Sequence, residues 1–331
     1  MEKALVTGAA GFIGSNVVKE LLSQGVKVRA MILPGEPIAN LEGLKIGRTE
    51  GDILNPKDVA RAMKGVDTVF HLAAIYSTWM LDWSKIYEVN LQGSRNVLWA
   101  ATKSNTVQRV VYTSSIAALG TAPGKNLANE DTPFDQYDFG AHYVLTKYLS
   151  QQEALGFAEN GLDLVVVNPA FPFGPGDIAP TPTGEIIKGI LDGTLRFQFD
   201  GGINVADVRD VAKGHVLAAQ KGKKGRKYIL GNQNIAMGDF IRLVRKTAGM
   251  PQVALPKIPI PAMKAASHLF KAWADNFSHT RPMMTPSDAE MASRYLYFDV
   301  SRAKEELGLE CRPITESIAD SVQWFRETGV K

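Results

Sequence analysis

The stretch KALVTGAAGFIG, residues 3–14, runs an apolar segment straight into three glycines, Gly8, Gly11 and Gly14, each three residues after the last. Beyond them, Ile13, Val17, Val18, Leu21 and Leu22 recur at helical spacing between Phe12 and Leu22. The spacing predicts a strand, a tight glycine turn and an amphipathic helix. Glycines let the backbone turn sharply and come close to a pyrophosphate, while the helix start supplies N–H donors and a positive dipole end. A bare structural turn is the alternative, but the strand-before, helix-after context favours a bound dinucleotide.

The same alternation continues outward. VKVRAMIL (26–33), DTVFHLAA (67–74), RVVYTSS (109–115) and LDLVVVNP (162–169) read as strands. Asp58–Met63 suits a short helix and Ile86–Thr102 a long one, with Val89, Val97 and Leu98 inward; a further helix carries HYVLTK (142–147). Near-continuous apolar strands alternating with helices predict an α/β protein, a Rossmann-type doubly wound parallel sheet covered on both faces, over residues 1–168. NPAFPFGPGDIAPTPTG (168–184) is too rich in Pro and Gly for long regular structure. Residues 169–331 are therefore expected to form a smaller substrate-binding lobe. Strands near 203–208 and 227–231 are expected to rejoin the first sheet, and a cleft to lie between the lobes.

Composition narrows the classes further. With 331 residues, 45% of them hydrophobic, the chain can bury a sizeable core without a disulfide or a structural metal. Cys311 is the single cysteine, which excludes an internal disulfide and any multi-cysteine metal site. No long apolar run precedes Gly8 and none reaches a membrane-spanning length, so a cytoplasmic protein is expected. A net charge of +3 with dispersed basic residues argues against a nucleic-acid partner, and KGKKGRK (221–227) reads as a solvated loop. His71 is expected to make a structural hydrogen bond and His142 to be exposed; His215 and His268 have no metal-type partners, so no metal is expected. The segment 259–277 is amphipathic, with Met263, Ala266, Leu269, Phe270 and Trp273 on one side, and suits core or dimer packing.

TGAAGFIG, GD at 51–52, HLAA at 71–74, N-x-x-G at 90–93, YTSS at 112–115 and Y-x-x-x-K at 143–147 occur in that order. Together with the closing segment FDVSRAKEELGLECRPITESIADSVQWFRETG, they resemble the extended short-chain dehydrogenase/reductase superfamily over essentially the whole chain. FHLAAIYSTW, NPAFPFGPGDIAPTPTG and KYILGN look most like its dihydroflavonol 4-reductase-like branch and the hopanoid-associated sugar epimerases within the NAD-dependent epimerase/dehydratase family. The resemblance implies a cofactor site made by Gly8, Ala10, Gly11, Phe12, Ile13, Gly14, Leu33, Asp52, Ile53, Leu72, Ala73, Ala74, Thr113, Tyr143, Lys147, Pro169 and Ala170. Asp52 and Ile53 would flank the adenine; an N-cap role for Asp52 is the plainer alternative.

Four residues apart on a helix, Tyr143 and Lys147 reach one ligand. A nearby ammonium favours the phenolate, so Tyr143 is expected to act as general acid in carbonyl reduction and as base in the reverse. The resemblance gives Lys147 a second task at the nicotinamide ribose, Ser115 (or Ser114) the substrate oxygen, and Asn90 a bracing role. For the choice of dinucleotide, Ile32 occupies the usual acidic position and Leu33 the usual Arg position. Arg29, Lys45 or Arg48 could reach a phosphate, so the sequence leans to NADP over NAD. Trp79, Met80 and Trp83 after HLAA, and Phe171 and Phe173 after the sixth strand, suggest a fairly apolar substrate. Phe171 stands where nucleotide-sugar enzymes of this kind carry a phosphate-binding Asn, and FDGGINVADVRD (199–210) lacks their Arg-Asp-aromatic pattern; Asp210 reads there as a helix cap. A carbonyl reductase or hydroxy dehydrogenase is thus expected, with a nucleotide-sugar epimerase or dehydratase as the alternative. A non-enzymatic binder would have no chemical need for Ser115, Tyr143 and Lys147 together. The helices at 83–104 and 138–160 could build a homodimer.

Overall fold

Ala4, Leu5 and Val6 are all fully buried, side by side in sequence, so both faces of their strand are covered. The computed structural model describes residues 1–137 and 141–329. Its strands are β1 (Lys3–Thr7), β2 (Lys27–Ile32), β3 (Gly47–Glu50), β4 (Thr68–His71), β5 (Arg109–Thr113), β6 (Leu164–Pro169), β7 (Phe171–Phe173), β8 (Gly202–Asp207), β9 (Lys227–Leu230) and β10 (Gln233–Ala236). The helices are α1 (Phe12–Ser23), α2 (Pro56–Met63), α3 (Ser84–Tyr87), α4 (Ser94–Lys103), α5 (His142–Glu159), α6 (Pro182–Leu191), α7 (Val208–Lys221), α8 (Met237–Thr247), α9 (Ile260–Trp273), α10 (Pro286–Ala292) and α11 (Ile314–Thr328). The helix expected over 138–160 is thus seen from His142; positions 138–140 lie outside the described residues.

A seven-stranded parallel sheet runs in the order β3-β2-β1-β4-β5-β6-β9. This is the doubly wound Rossmann arrangement expected from the alternation. Val17, Val18 and Leu21 of α1 share one core with Val211, Ala212 and Val216 of α7 on one face. Val59 and Met63 of α2, Val97 and Leu98 of α4, and Ala154 of α5 share another on the opposite face. Strand order reverses between β1 and β4, and such sheets take ligands at the carboxyl ends of the strands beside that switch.

A three-stranded sheet, β10-β8-β7, carries the second core, where Phe173, Ile187, Phe240, Val244, Ile318 and Phe325 meet. Two expectations change here. Only 227–230 rejoins the main sheet, as β9 beside β6; the strand near 203–208 is β8 of the small sheet. The β8 strand is buried along its whole length, so an apolar run alone could not tell which sheet it joins. At the start of α7 the cap is Asp207, whose side chain accepts from Arg209 N at 2.8 Å, rather than Asp210. Asp210 instead takes Arg312 N at 2.8 Å. β3 escapes sequence reading because Gly47–Glu50 is polar and forms the sheet edge.

Candidate active site

At the end of β1, Gly8 adopts φ +66°, a conformation that costs other residues steric strain. A Cβ there would sit 2.7 Å from Ala73 N after β4, and one on Gly14 would lie 2.0 Å from Gly8 O. Both glycines are therefore demanded by close backbone packing. Gly11 is different: its nearest neighbour would be Gly8 O at 3.4 Å, and it faces open space otherwise. As the N-cap of α1 it has no side chain to satisfy the first helical amides, which leaves those donors for a ligand.

Gly8, Gly11, Phe12, Ile13 and Gly14 line one cavity with Leu72, Ala74, Thr113, Pro169 and Ala170, all expected from the sequence. Ala10 lies behind the turn, buried, its carbonyl accepting from Asn40 Nδ2 at 3.3 Å. Ala73 contributes the backbone against which Gly8 turns. Leu33, Asp52 and Ile53 lie off this lining. Ile53 is buried beneath Gly93, and Asp52 turns back to accept from Leu54 N at 2.9 Å. The cap of α2 is Asn55. Two of the three cations expected to favour a phosphate are committed elsewhere: Arg29 donates to Ala62 O and Lys64 O at 2.6 and 2.7 Å, and Arg48 to Leu41 O at 3.1 Å, while Lys45 is exposed. A glycine turn with free helix-start amides, opening on an apolar wall, fits a dinucleotide.

The same cavity is lined by Ser115, Tyr143 and Lys147. Ser115 ends the β5 segment, accepts from Ala117 N at 3.1 Å and is hydrogen-bonded to the Tyr143 hydroxyl. One turn along α5, Lys147 is buried and donates from Nζ to Thr113 O at 2.9 Å. Burial pushes the Tyr143 phenol up to about 12, against the Ser115 hydrogen bond, which pulls it down. Burial draws the Lys147 ammonium down to about 8. The expected lowering of the phenol by Lys147 is thus not what governs this site; desolvation wins. Ser114 Oγ, also on the lining, is buried with no partner among the described residues. Asn90 sits below, in a π-helical turn (Glu88–Gly93) between α3 and α4. It takes Ile75 N at 2.8 Å and gives to Ile75 O at 3.0 Å and Thr146 Oγ1 at 3.1 Å, tying the segment after β4 to α5.

Of the expected substrate residues, Phe171 lines the cavity, but Phe173 is core, packed against Phe240 with ring centres 5.0 Å apart. Trp79 stands off the lining, donating from Nε1 to Asp275 at 3.0 Å. Sequence reading misses Tyr76, Ile116, Met291, Leu296 and Phe298 on that wall. Tyr76, whose ring lies 4.4 Å from that of Tyr143, was within reach as part of FHLAAIYSTW. Met291, Leu296 and Phe298 arrive from far along the chain and leave no local signal. His71 is held between Thr7 Oγ1 (2.7 Å) and Ser94 Oγ (2.9 Å), the structural role expected. His142 departs from expectation: it is half-buried, stacked on Trp83 at 4.3 Å and bonded to Tyr87 OH at 3.0 Å.

Comparison with known proteins agrees with this geometry. The family model of the NAD dependent epimerase/dehydratase family matches residues 4–231. A Synechocystis sp. protein provisionally named a dihydroflavonol 4-reductase is 39% identical over 98% of this chain and 94% of its own. Sterol demethylase protein B of Methylococcus capsulatus is 32% identical over 98% of this chain and 99% of its own. Among solved structures, gox2253 is similar with a TM-score of 0.88 and 36% identity, covering 100% of this chain and 99% of that one. The chain belongs to the NAD dependent epimerase/dehydratase family and is an NAD(P)-dependent oxidoreductase.

Proposed function

We propose that this family member interconverts a fairly apolar ketone or aldehyde and its alcohol at Ser115, Tyr143 and Lys147. The observation that carries the reading is electrostatic. Lys147, held on Thr113 O beside Tyr143, is the single charged residue on the cavity lining among the described residues. Tyr76, Ile116, Phe171, Met291, Leu296 and Phe298 give the cavity an apolar wall, on which Gln136, Thr181 and Thr183 are neutral polar residues. A nucleotide sugar would bring a diphosphate, which calls for cations beyond Lys147 that this lining does not offer. The dihydroflavonol and the sterol in the two relatives' names agree with such a wall.

A dinucleotide held by its pyrophosphate at the glycine turn would supply or accept the hydride through its nicotinamide. The chain's own residues handle the oxygen and the proton. Ser115 Oγ and the Tyr143 hydroxyl converge on one point, where they grip a carbonyl oxygen. With its phenol raised to about 12, Tyr143 is fully protonated at neutral pH and is the proton donor as the carbonyl becomes an alcohol. Lys147 is still largely an ammonium there, and its charge favours the phenolate left behind. Gly8, Gly11, Gly14 and the start of α1 would hold the pyrophosphate; Leu72, Ala74, Pro169 and Ala170 would wall the nicotinamide half. A homodimer through α4 and α5 belongs to the same proposal, supported by exposed Trp99 and Leu149 on those helices.

Calorimetric titration with free UDP, dTDP and GDP, with NADH and NADPH as references, tests the reading. Uptake of a reduced dinucleotide with no nucleoside diphosphate binding is expected. Saturable binding of a nucleoside diphosphate alongside the dinucleotide would replace it with a nucleotide-sugar epimerase or dehydratase.

A further inference from the structure

We propose that the outer face of α9 and the turn after it seat the protein on an anionic lipid surface, with the mouth of the cavity beside the bilayer. The amphipathic pattern of 259–277 suits core or dimer packing, and the structure divides its apolar residues. Met263, Ser267 and Ala274 are buried, and the helix packs against α10. Leu269, Trp273 and Phe277 follow at intervals of four and stand 72, 61 and 67% exposed, with exposed Phe270 beside them. The rings of Trp273 and Phe277 stack with centres 4.7 Å apart, so the stripe is one continuous ridge. Water solvates such a ridge at a cost, and a contiguous apolar patch of this kind marks a docking surface.

Charge selects the occupant. Between Ile260 and Met283 stand Lys264, Lys271 and Arg281 against one carboxylate, Asp275. Asp275 pairs with Lys271 and accepts from Trp79 Nε1 at 3.0 Å, and Lys264 pairs with Glu290 of α10. Arg281 donates to a neutral partner, Thr78 Oγ1, at 3.3 Å. An aromatic crest with cations on its flanks matches the boundary of a bilayer, where the rings enter the acyl edge and Lys and Arg meet phosphates. A second copy fits less well, because a twofold contact would set this cation-rich flank against its own image. The ridge also lies against the segments that open the cavity. Thr78 and Trp79 follow Tyr76, which is exposed and on the lining; Thr78 Oγ1 donates to Asp288 of α10 at 3.4 Å, and α10 brings Met291 to the same lining. An apolar substrate would pass from the acyl layer to the apolar wall with little exposure to water, a step that rests on the reading of the substrate above.

Sedimentation of the intact protein with vesicles of equal parts phosphatidylglycerol and phosphatidylcholine tests the docking face. The protein should pellet with them, and at least about fivefold less with phosphatidylcholine alone or in molar salt, where the headgroup attraction is absent or screened. Its tryptophan emission should move to shorter wavelength on the mixed vesicles. Trp273→Ala combined with Phe277→Ala should cut pelleting about tenfold or more. The melting temperature and calorimetric uptake of NADH should stay as in wild type, since both rings are exposed. No pelleting of the wild type, or pelleting that the double variant leaves unchanged, would overturn the proposal. A wild-type dimer in light scattering that the double variant splits would give the ridge to a second copy and overturn it as well. Pelleting as expected but with no uptake of NADH or NADPH would instead sink the oxidoreductase reading and leave the docking face standing.

Discussion

Tyr143 and Lys147 are each moved from their solution chemistry by the same cause, removal from water, and in directions that suit a proton donor. A phenol raised to about 12 does not ionise anywhere near neutral pH, and an ammonium lowered to about 8 titrates within reach of it. Tyr143→Phe keeps the ring and its packing against Tyr76 but removes the transferable proton. Its turnover on a carbonyl substrate is expected to fall about 10²- to 10⁴-fold with dinucleotide affinity unchanged. Wild-type turnover in that variant would sink the mechanism. Because Lys147 loses its charge as pH rises through about 8, turnover in the reducing direction should decline above that point. A kcat profile flat from pH 7 to 10 would show that the ammonium is not needed. The orphaned hydroxyl of Ser114, beside Ser115 on the lining, makes it the nearest further donor for a substrate oxygen.

Among the elements, the turn from β1 into α1 separates two uses of glycine that look alike in sequence. Gly14 is required by the fold, since a methyl group there would overlap Gly8 O at 2.0 Å; Gly11 has room and borders the cavity. Gly14→Ala is therefore expected to lower thermal stability markedly. Gly11→Ala should leave the melting temperature within a few degrees yet weaken dinucleotide binding. Equal melting temperatures for the two variants would refute this division. The π-helical turn at Glu88–Gly93 is the second element with a task, for it turns Asn90 inward to three hydrogen bonds. Asn90→Ala would leave Ile75 N and O without their partner, at a cost of about 1–3 kcal/mol in denaturant unfolding. A cost near zero would mean that water replaces the amide.

Over the whole molecule, two buried histidines link stability to pH. His71 is held down to about 3 by burial, with the Lys147 charge adding to the effect, and His215 to about 4 by burial. Both are neutral in the fold and take up protons below about 6.5 once the chain unfolds. Their contribution is complete above that pH and is lost as the pH falls toward 4 and then 3, at about 1.4 kcal/mol per pH unit for each group. Calorimetric melting temperatures should drop steadily from pH 6.5 to 4.5, and His215→Gln should flatten the slope. A melting temperature independent of pH over that range would show that the histidines are not held neutral. No helix among the described residues is long and apolar enough to cross a membrane.

What could be read without coordinates is what is encoded over short distances along the chain. The three glycines, the apolar strands and the Tyr143–Lys147 spacing each depend on geometry that repeats within one element, so periodicity and steric need expose them. That is why the doubly wound sheet, the glycine turn and the helix carrying Tyr143 and Lys147 were legible. Most of the cavity's apolar wall was not, because Tyr76, Ile116, Met291, Leu296 and Phe298 meet only after separate segments converge, and apolar residues in a wall look like apolar residues in a core. Phe171 and Phe173 make the point within one strand: the same residue type, two positions apart, lines the cavity in one case and packs on Phe240 in the other. The sheet membership of β8 and the direction of the Tyr143 shift belong to the same class. Each is set by what lies across space, since pairing partners and desolvation are properties of the packed chain and leave no local trace in sequence.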